Sequence, residues 1–161
     1  MAKSAGRNRG SEFIVRLPVA GSSTTTPQLK REVDPESQSG RRILVVDDNK
    51  DSAESLAMLL ELTGNQTNRV HDGLEALKAI ETFRPEVVLL DIGLPKLSGY
   101  EVCRRVRQEP WGKDIVIIAL TGWGQEDDRR KSEEAGFNGH LIKPVDYDKL
   151  LELLDTSQPV E

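Results

Sequence analysis

Three short, continuous apolar runs constrain the fold of this chain more than any other feature. They lie at residues 43–46 (ILVV), 87–90 (VVLL) and 115–120 (IVIIAL), and β-branched residues are frequent in them. Runs of this kind are typical of parallel strands that are covered on both faces. Weaker strand patterns at 67–70 and 141–142 bring the predicted number of strands to five.

Helical periodicity fills the gaps between the predicted strands. Apolar residues recur at helical spacing in 53–60, 76–83, 102–106 and 147–154. Asp51 and Asp146 are the predicted N-caps of the first and last of these helices. The alternation of strands and helices predicts an α/β fold, a (βα)₅ unit with a doubly wound, five-stranded parallel sheet.

The predicted helix between the fourth and fifth strands differs from the others. Residues 125–135 read QEDDRRKSEEA and contain almost no apolar stripe. Since little burial would hold such a helix in place, we expect it to be loosely docked and to end at Gly136.

The first 40 residues have a different composition from the rest. Residues 20–40 are rich in Ser, Thr, Pro, Gly and charge and are predicted to be a linker, and residues 13–19 (FIVRLPV) resemble one edge strand without a sheet to join. Residues 41–155 form the predicted folded domain, and 156–161 are predicted to be a disordered tail. Residues 1–40 carry a charge of +2 and residues 41–161 a charge of −7, within a net charge of −5.

These features exclude several classes of protein. An acidic folded domain argues against binding to nucleic acid that is driven by charge. No apolar run approaches the roughly 20 residues that cross a bilayer, and no secretory signal opens the chain, so we expect no membrane contact. The one cysteine, Cys103, cannot form an internal disulfide and favours a reducing compartment, the cytoplasm. We interpret Cys103 as a packed helix residue and not as a catalytic thiol.

Polar residues stand directly after the strong strands. Ligands of open α/β sheets bind outside the carboxyl ends of the strands, so these residues are expected to meet in one crevice. The set comprises three carboxylates, a hydroxyl and an ammonium: Asp47, Asp48, Asp91, Thr121 and Lys143.

Three carboxylates that lie close together repel one another unless a cation sits among them. An all-oxygen ligand set favours a hard cation, so Mg²⁺ is the predicted ion, with Mn²⁺ as an alternative. Asp91 beside such an ion is a candidate nucleophile toward phosphorus, and Thr121 and Lys143 are candidates to contact the phosphoryl oxygens. Any one of these acids alone would be interpreted as a helix cap or a solvated residue. The complete set on four strands favours function.

Four segments of the chain are collinear with one known family. RILVVDDN, VVLLDIGLPKLSGYEV, IIALTG and HLIKPV resemble the response-regulator receiver domain of two-component signalling, over residues 41–155. The resemblance implies the flavodoxin-like receiver fold and a bacterial phosphorelay protein. Its phosphoryl donor would be a phosphohistidine on a histidine kinase or a histidine phosphotransfer domain, and its output a contact with a downstream protein.

The resemblance also implies a role for each site residue. Asp91 matches the phosphoacceptor, Asp47 and Asp48 the acidic pair that holds Mg²⁺, and Gly93 the position whose carbonyl ligates the metal. Thr121 and Lys143 match the switch hydroxyl and the lysine that contacts the phosphoryl group. In the family the bond that corresponds to Lys143–Pro144 is typically cis.

Two positions depart from the family pattern. The aromatic switch residue of the family falls on His140, whose imidazole is smaller and titratable. The alternative is that His140 is an ordinary residue at the end of the strand with no role in switching, and both interpretations stay open here. Gly93 replaces a commoner polar residue, which leaves the carbonyl intact but is expected to change the lifetime of the phosphoryl group. We interpret the other histidine, His71, as a surface residue away from the crevice.

The N-terminal segment carries a second resemblance. Residues 6–19 (GRNRGSEFIVRLPV) are similar to the closing strand of the ATP-binding domain of a histidine kinase. This implies that residues 1–19 are either the remnant of such a domain or a disordered tail. In the first case the chain would be the C-terminal part of a hybrid sensor kinase.

The sequence therefore predicts a phosphorylation-dependent conformational switch that acts on the face formed by Thr121, the fifth strand and the last helix. We expect no turnover enzyme, because a phosphatase with an aspartyl nucleophile would need a second acid where Gly93 stands. The alternative from another class is a receiver-like interaction module that takes no phosphate.

Overall fold

The structure, a computed structural model, describes residues 2–4, 11–13, 40–122 and 126–157. The chain divides into two units, Met1–Val33 and Asp34–Glu161. In the first unit, β1 (Ala2–Ser4) and β2 (Ser11–Phe13) pair as antiparallel strands. Of the predicted edge strand at 13–19, Phe13 lies in β2, and residues 14–19 lie outside the described residues.

The second unit is built on a five-stranded parallel sheet with the strand order β4-β3-β5-β6-β7. The predicted α/β fold is confirmed. All five predicted strands are present, at bounds that differ by a few residues from the prediction. They are β3 (Arg42–Val46), β4 (Gln66–Val70), β5 (Val87–Asp91), β6 (Val116–Thr121) and β7 (Gly139–Ile142).

Five helices connect and cover these strands, together with one 3-10 turn at Pro110–Asp114. The helices are α1 (Lys50–Leu62), α2 (Gly73–Phe83), α3 (Gly99–Gln108), α4 (Glu126–Ala135) and α5 (Tyr147–Thr156). Asp146 caps α5 as predicted, because its carboxylate accepts the backbone N–H groups of Asp148 and Lys149. The predicted cap Asp51 is wrong: Asn49 caps α1 and accepts from the Ser52 N–H, which leaves Asp51 in the first turn.

Each face of the sheet carries its own apolar core. Alternate residues of the strands point to opposite faces, so Leu44 and Val46 pack on one side and Ile43 and Val45 on the other. The helices α2 and α3 cover the first side, and α1 and α5 cover the second. The sheet is thus doubly wound, and its carboxyl edge is left open between the two helical layers.

The helix α4 buries only a narrow strip, as its sequence predicts. Ser132 and Ala135 are buried, whereas Arg129 and Arg130 are mostly exposed and pair with glutamates on the same helix. The hydroxyl of Ser132 donates to the Asp128 carbonyl oxygen, so even the buried polar group is satisfied within the helix. The chain leaves the helix at Gly136, whose φ of 97° is left-handed and favours glycine.

Cys103 is a buried residue of α3, which confirms its interpretation as a packing residue. Burial raises the pKa of its thiol to about 11, so the reactive thiolate is scarce at neutral pH.

Candidate functional site

The carboxyl ends of β3 and β5 bring the three predicted acids together. Asp47 and Asp48 directly follow β3, and Asp91 is the last residue of β5, its neighbour in the sheet. Carboxylate oxygens of these three residues all lie within 4.8 Å of one another. Asp47 and Asp91 are buried and Asp48 is exposed. The sequence-predicted acidic cluster is therefore a real constellation that opens to solvent on the side of Asp48.

Asp47 is held from several directions. Its backbone N–H donates to the Val70 carbonyl oxygen at 3.2 Å, one step beyond the last paired residues of β3 and β4. Its Oδ1 accepts the backbone N–H of Asn49 at 2.9 Å. Asp91 is held in a similar way, since its Oδ1 accepts the backbone N–H of Gly93 at 2.9 Å. The orientation of both carboxylates in the crevice is thus fixed by hydrogen bonds to the backbone.

Lys143 bridges the two buried acids. Its Nζ lies 2.8 Å from Oδ2 of Asp47 and 2.8 Å from Oδ2 of Asp91. Partial burial lowers the pKa of Lys143, but the hydrogen bonds to Asp47 and Asp91 outweigh this, and the pKa lies above its ordinary value. The lysine is therefore charged at neutral pH. The peptide bond between Lys143 and Pro144 is cis, as the resemblance implies.

Thr121, the last residue of β6, is buried beside the acids. Its hydroxyl has no hydrogen-bond partner among the residues that the structure describes. A buried hydroxyl without a partner is rare, because it loses its bonds to water and gains none. The hydroxyl is available to a ligand in the crevice.

A cavity of about 330 Å³ lies beside Asp91, Thr121 and Lys143. Asp128 of α4 also lines it, and sequence reasoning missed this residue because α4 has no apolar stripe from which its orientation could be read. Asp128 accepts a long hydrogen bond from the hydroxyl of Tyr100, at 3.4 Å. The other lining residues are Asp91, Ile92, Gly93, Thr121, Gly122 and Lys143.

The two histidines lie in different parts of the fold, one in β7 and one directly after β4. His140 is a half-buried residue of β7 and lines a groove with Ser132 of α4 and Leu153 of α5. His71 was predicted to be a surface residue away from the crevice, and this is wrong. It is half-buried, and its Nδ1 lies 3.0 Å from the carbonyl oxygen of Asp47. A contact between the ends of two adjacent strands leaves no periodic signal in the sequence.

A second ion pair supports the loop that follows Asp91. Lys96, whose φ is 66°, places its ammonium 2.5 Å from Oδ2 of Asp72, the N-cap of α2. This hydrogen bond, together with those from the backbone N–H groups of Glu75 and Leu74, lowers the pKa of Asp72 below its ordinary range. The hydrogen bond and the charge of Asp72 raise the pKa of Lys96. The start of α2 is thereby tied to the loop of the phosphoacceptor candidate.

The donor set fits a hard divalent cation. It consists of carboxylate oxygens from three residues within 4.8 Å of one another, one of them exposed and accessible to an ion with its waters. Mg²⁺ prefers oxygen ligands and retains water, and it needs only one or two protein carboxylates. Among the described parts of the chain, no other group of three or more potential His, Cys, Asp or Glu ligands has this spacing.

Comparison with known proteins agrees with this geometry. A family model described as the response regulator receiver domain matches residues 43–155. The response regulator MprA of Mycobacterium ulcerans is 40% identical over 110 residues, which cover 68% of this chain and 47% of MprA. This chain thus matches only about half the length of that relative.

Two solved structures are similar in fold. The chemotaxis protein CheY4 of Vibrio cholerae matches with a TM-score of 0.69 and 26% identity, over 73% of this chain and 98% of that one. The receiver domain of sensor histidine kinase PA1611 from Pseudomonas aeruginosa matches with a TM-score of 0.67 and 34% identity, over 72% and 95%. In that structure a magnesium ion is coordinated in the active-site cleft. Within the described ranges of the present chain, none of the helices has the length and apolar character that a membrane crossing requires.

Proposed function

Because the chain belongs to the response regulator receiver family of two-component signalling, we propose that it is a phosphorelay switch that takes a phosphoryl group onto Asp91. The observation that carries this proposal is the arrangement around Asp91. Its carboxylate shares a 4.8 Å cluster with Asp47 and Asp48 and lies 2.8 Å from the ammonium of Lys143. A nucleophile, an acidic cation site and a fixed positive charge thus meet at one sheet edge.

The chemical step is a phosphoryl transfer from a phosphohistidine. An oxygen of Asp91 forms the new O–P bond while the P–N bond to the donor imidazole breaks. The electron pair of that bond stays on the imidazole nitrogen, which takes up a proton. Oδ1 of Asp91 already accepts the Gly93 N–H and Oδ2 faces Lys143, so the carboxylate is oriented before the donor arrives.

Asp47, Asp48, Asp91 and the carbonyl of Gly93 are the residues proposed to hold Mg²⁺, with Mn²⁺ as a substitute. When bound, the ion supplies positive charge that balances the acids and the transferring phosphoryl group. Lys143 stabilises the phosphoryl oxygens from its own side of Asp91. Gly93 carries no side chain, and its Cβ position would lie 3.6 Å from Oδ1 of Asp91. Water therefore has an open approach, which is expected to shorten the lifetime of the aspartyl phosphate.

Thr121 is the proposed trigger of the switch. Its buried hydroxyl has no partner within the described part of the chain and gains one when a phosphoryl oxygen enters the cavity. The movement is expected to reach the face formed by Thr121, β7 and α5, with His140 at the position of the family's switch residue. The helix α4 is the element that can respond, because it buries little more than Ser132 and Ala135.

The partners proposed on this basis are a histidine kinase or a histidine phosphotransfer domain as donor, and a downstream protein as receiver of the signal. The cytoplasm is the proposed location, without contact to nucleic acid or membrane by this chain. The chain takes up one phosphoryl group and is not proposed to be a turnover enzyme by itself. The N-terminal resemblance, with residues 20–40 as linker, supports a hybrid sensor kinase as its parent. PA1611, whose receiver domain is similar, is itself a sensor histidine kinase.

The test of this function is its metal dependence. The purified chain is incubated with acetyl phosphate, or with an autophosphorylated histidine kinase, in Mg²⁺ or in excess EDTA, and its intact mass is recorded. One phosphoryl group added in Mg²⁺ and none in EDTA is the expected result. Absence of uptake from both donors in Mg²⁺ would contradict the proposal.

A further inference from the structure

We propose that His71 is a positioning residue of the acidic site, which fixes the peptide group between Asp47 and Asp48. The inference rests on the function proposed above, because it concerns the same cation site. It starts from the 3.0 Å contact between Nδ1 of His71 and the carbonyl oxygen of Asp47. That carbonyl belongs to the peptide plane that joins the two acids, so its orientation governs how Asp48 is presented.

Among the described residues, no backbone N–H donates to the Asp47 carbonyl oxygen, and the contact with His71 takes the place of that bond. The ladder between β3 and β4 ends at the pair Val46 and Val70. Beyond it, the Asp47 N–H still donates to the Val70 carbonyl oxygen. The carbonyl oxygen of Asp47, by contrast, contacts the ring of His71, because the chain turns from β4 into α2 at this point. A side chain thus extends the sheet by one residue where Asp47 needs to be rigid.

The geometry also assigns the tautomer of the ring. A carbonyl oxygen only accepts hydrogen bonds, so Nδ1 of His71 carries the proton and donates it. The backbone of His71 is held as well, because its N–H donates to Oε2 of Glu75 at 3.2 Å in the first turn of α2. The next residue, Asp72, caps that helix. His71 is therefore anchored to a helix on one side and to the acidic site on the other.

The consequence is preorganisation of the cation site. When His71 is removed, the side chain of Asp47 keeps its bonds to Asn49 and Lys143. The peptide group between Asp47 and the exposed Asp48, however, becomes free to rotate. Ligands that are fixed before the ion arrives bind it more tightly, because less conformational entropy is lost on binding. Loss of the histidine is expected to weaken Mg²⁺ binding about 3- to 10-fold, the range of one net hydrogen bond.

The experiment is a Mg²⁺ titration followed by backbone amide NMR, with no phosphoryl donor present. Three variants are compared with the wild type. His71→Phe keeps a ring but removes the donor, whereas His71→Asn places an amide N–H near the former Nδ1. Asn65→Ala is the matched control. Its side chain also bonds backbone groups next to β4, those of Leu60 and Arg41, but at the opposite end of the strand.

We expect weaker Mg²⁺ binding in His71→Phe, partial recovery in His71→Asn, and wild-type affinity in Asn65→Ala even where its stability falls. Wild-type affinity in a folded His71→Phe would overturn the inference and leave the proposed function intact. A wild type that binds no Mg²⁺ would overturn both.

A measurement on the wild type serves where the variant does not fold. Long-range ¹H–¹⁵N spectra of the imidazole report which ring nitrogen is protonated. A protonated Nδ1 in His71 is expected, and an unprotonated Nδ1 would overturn the inference.

Discussion

Nζ of Lys143 lies 2.8 Å from Oδ2 of Asp91, an ion pair that joins the end of β7 to the end of β5. The carboxylate is buried, and 27% of the lysine side chain is exposed. Since the same ammonium also contacts Asp47, it supplies positive charge to both buried acids of the cluster. The pair is therefore a structural support of the site as well as a candidate contact for a phosphoryl group.

Lys143→Met is expected to lower the free energy of unfolding at neutral pH, because Asp47 and Asp91 then repel each other. The loss should be smaller than the roughly 3–5 kcal/mol of a fully buried pair, since the lysine is partly exposed. Mg²⁺ should restore more stability to the variant than to the wild type, because the dication replaces the lost charge. Urea unfolding with and without Mg²⁺ measures both effects. Equal stability of variant and wild type would show that the ion pair does not support the site.

Thr121→Val tests whether the hydroxyl of Thr121 serves the response to phosphorylation or the stability of the fold. The hydroxyl is buried and has no partner in the described ranges, so an isosteric apolar side chain should leave stability unchanged or raise it by up to about 1 kcal/mol. The response to phosphorylation should be lost, because the phosphoryl oxygen no longer finds this donor. Unfolding by urea and amide exchange after phosphorylation test the two parts. Thr82→Val in α2, which loses a bond to the Lys78 carbonyl, is the control that keeps the response.

Asp72→Asn tests whether the ion pair between Lys96 and Asp72 stabilises the loop after Asp91. The quantity to compare is the pH dependence of stability in the wild type and in the variant. The hydrogen bond from Lys96, followed by those from the backbone, lowers the folded pKa of Asp72 below the ordinary value of about 3.9. Asn still caps a helix, so mainly the ion pair is lost. The extra stability of the wild type over the variant should be constant above about pH 5 and should disappear as the pH falls through the folded pKa of Asp72. Thermal unfolding between pH 7 and pH 2 measures it, and a difference independent of pH would rule out this ionic contribution.

The helix α4 is expected to change its amide protection when the site is loaded. Beryllium fluoride with Mg²⁺ serves as a phosphoryl mimic, and hydrogen exchange is followed by mass spectrometry. Protection should change in Glu126–Ala135, where burial is slight, and stay constant in Lys50–Leu62, which packs four buried apolar residues on the sheet. Equal protection of α4 in both states would count heavily against it as the moving element.

The strands and their polar ends were predictable from the sequence because both follow simple rules. Continuous β-branched runs marked β3, β5 and β6, and residues after parallel strands must meet at one edge, which placed Asp47, Asp91 and Lys143 correctly. The boundaries were less certain where a run continues past the strand. Ile115 was predicted to begin β6 but follows the 3-10 turn instead, because local hydrophobicity does not distinguish a strand from an adjoining buried turn.

The support of the site was not predictable from the sequence. The pairs His71–Asp47 and Lys96–Asp72 join loops that are 24 residues apart, and no periodicity relates their positions. The same holds for Arg107 of α3. Its guanidinium donates to backbone carbonyls of the 3-10 turn and of Gly136 at the end of α4. Such contacts depend on the exact approach of loops, which is fixed only when the whole domain is folded.

Whether Asp91 accepts a phosphoryl group is tested by the intact mass of the wild type and of Asp91→Asn after incubation with acetyl phosphate and Mg²⁺. Asp51→Asn, which alters an exposed acid in the first turn of α1, is the matched control. One added phosphoryl group is expected on the wild type and on Asp51→Asn, and none on Asp91→Asn. Equal uptake by Asp91→Asn would contradict the assignment of the acceptor. No uptake by any of the three, with no uptake from a histidine kinase either, would indicate an interaction module that takes no phosphate.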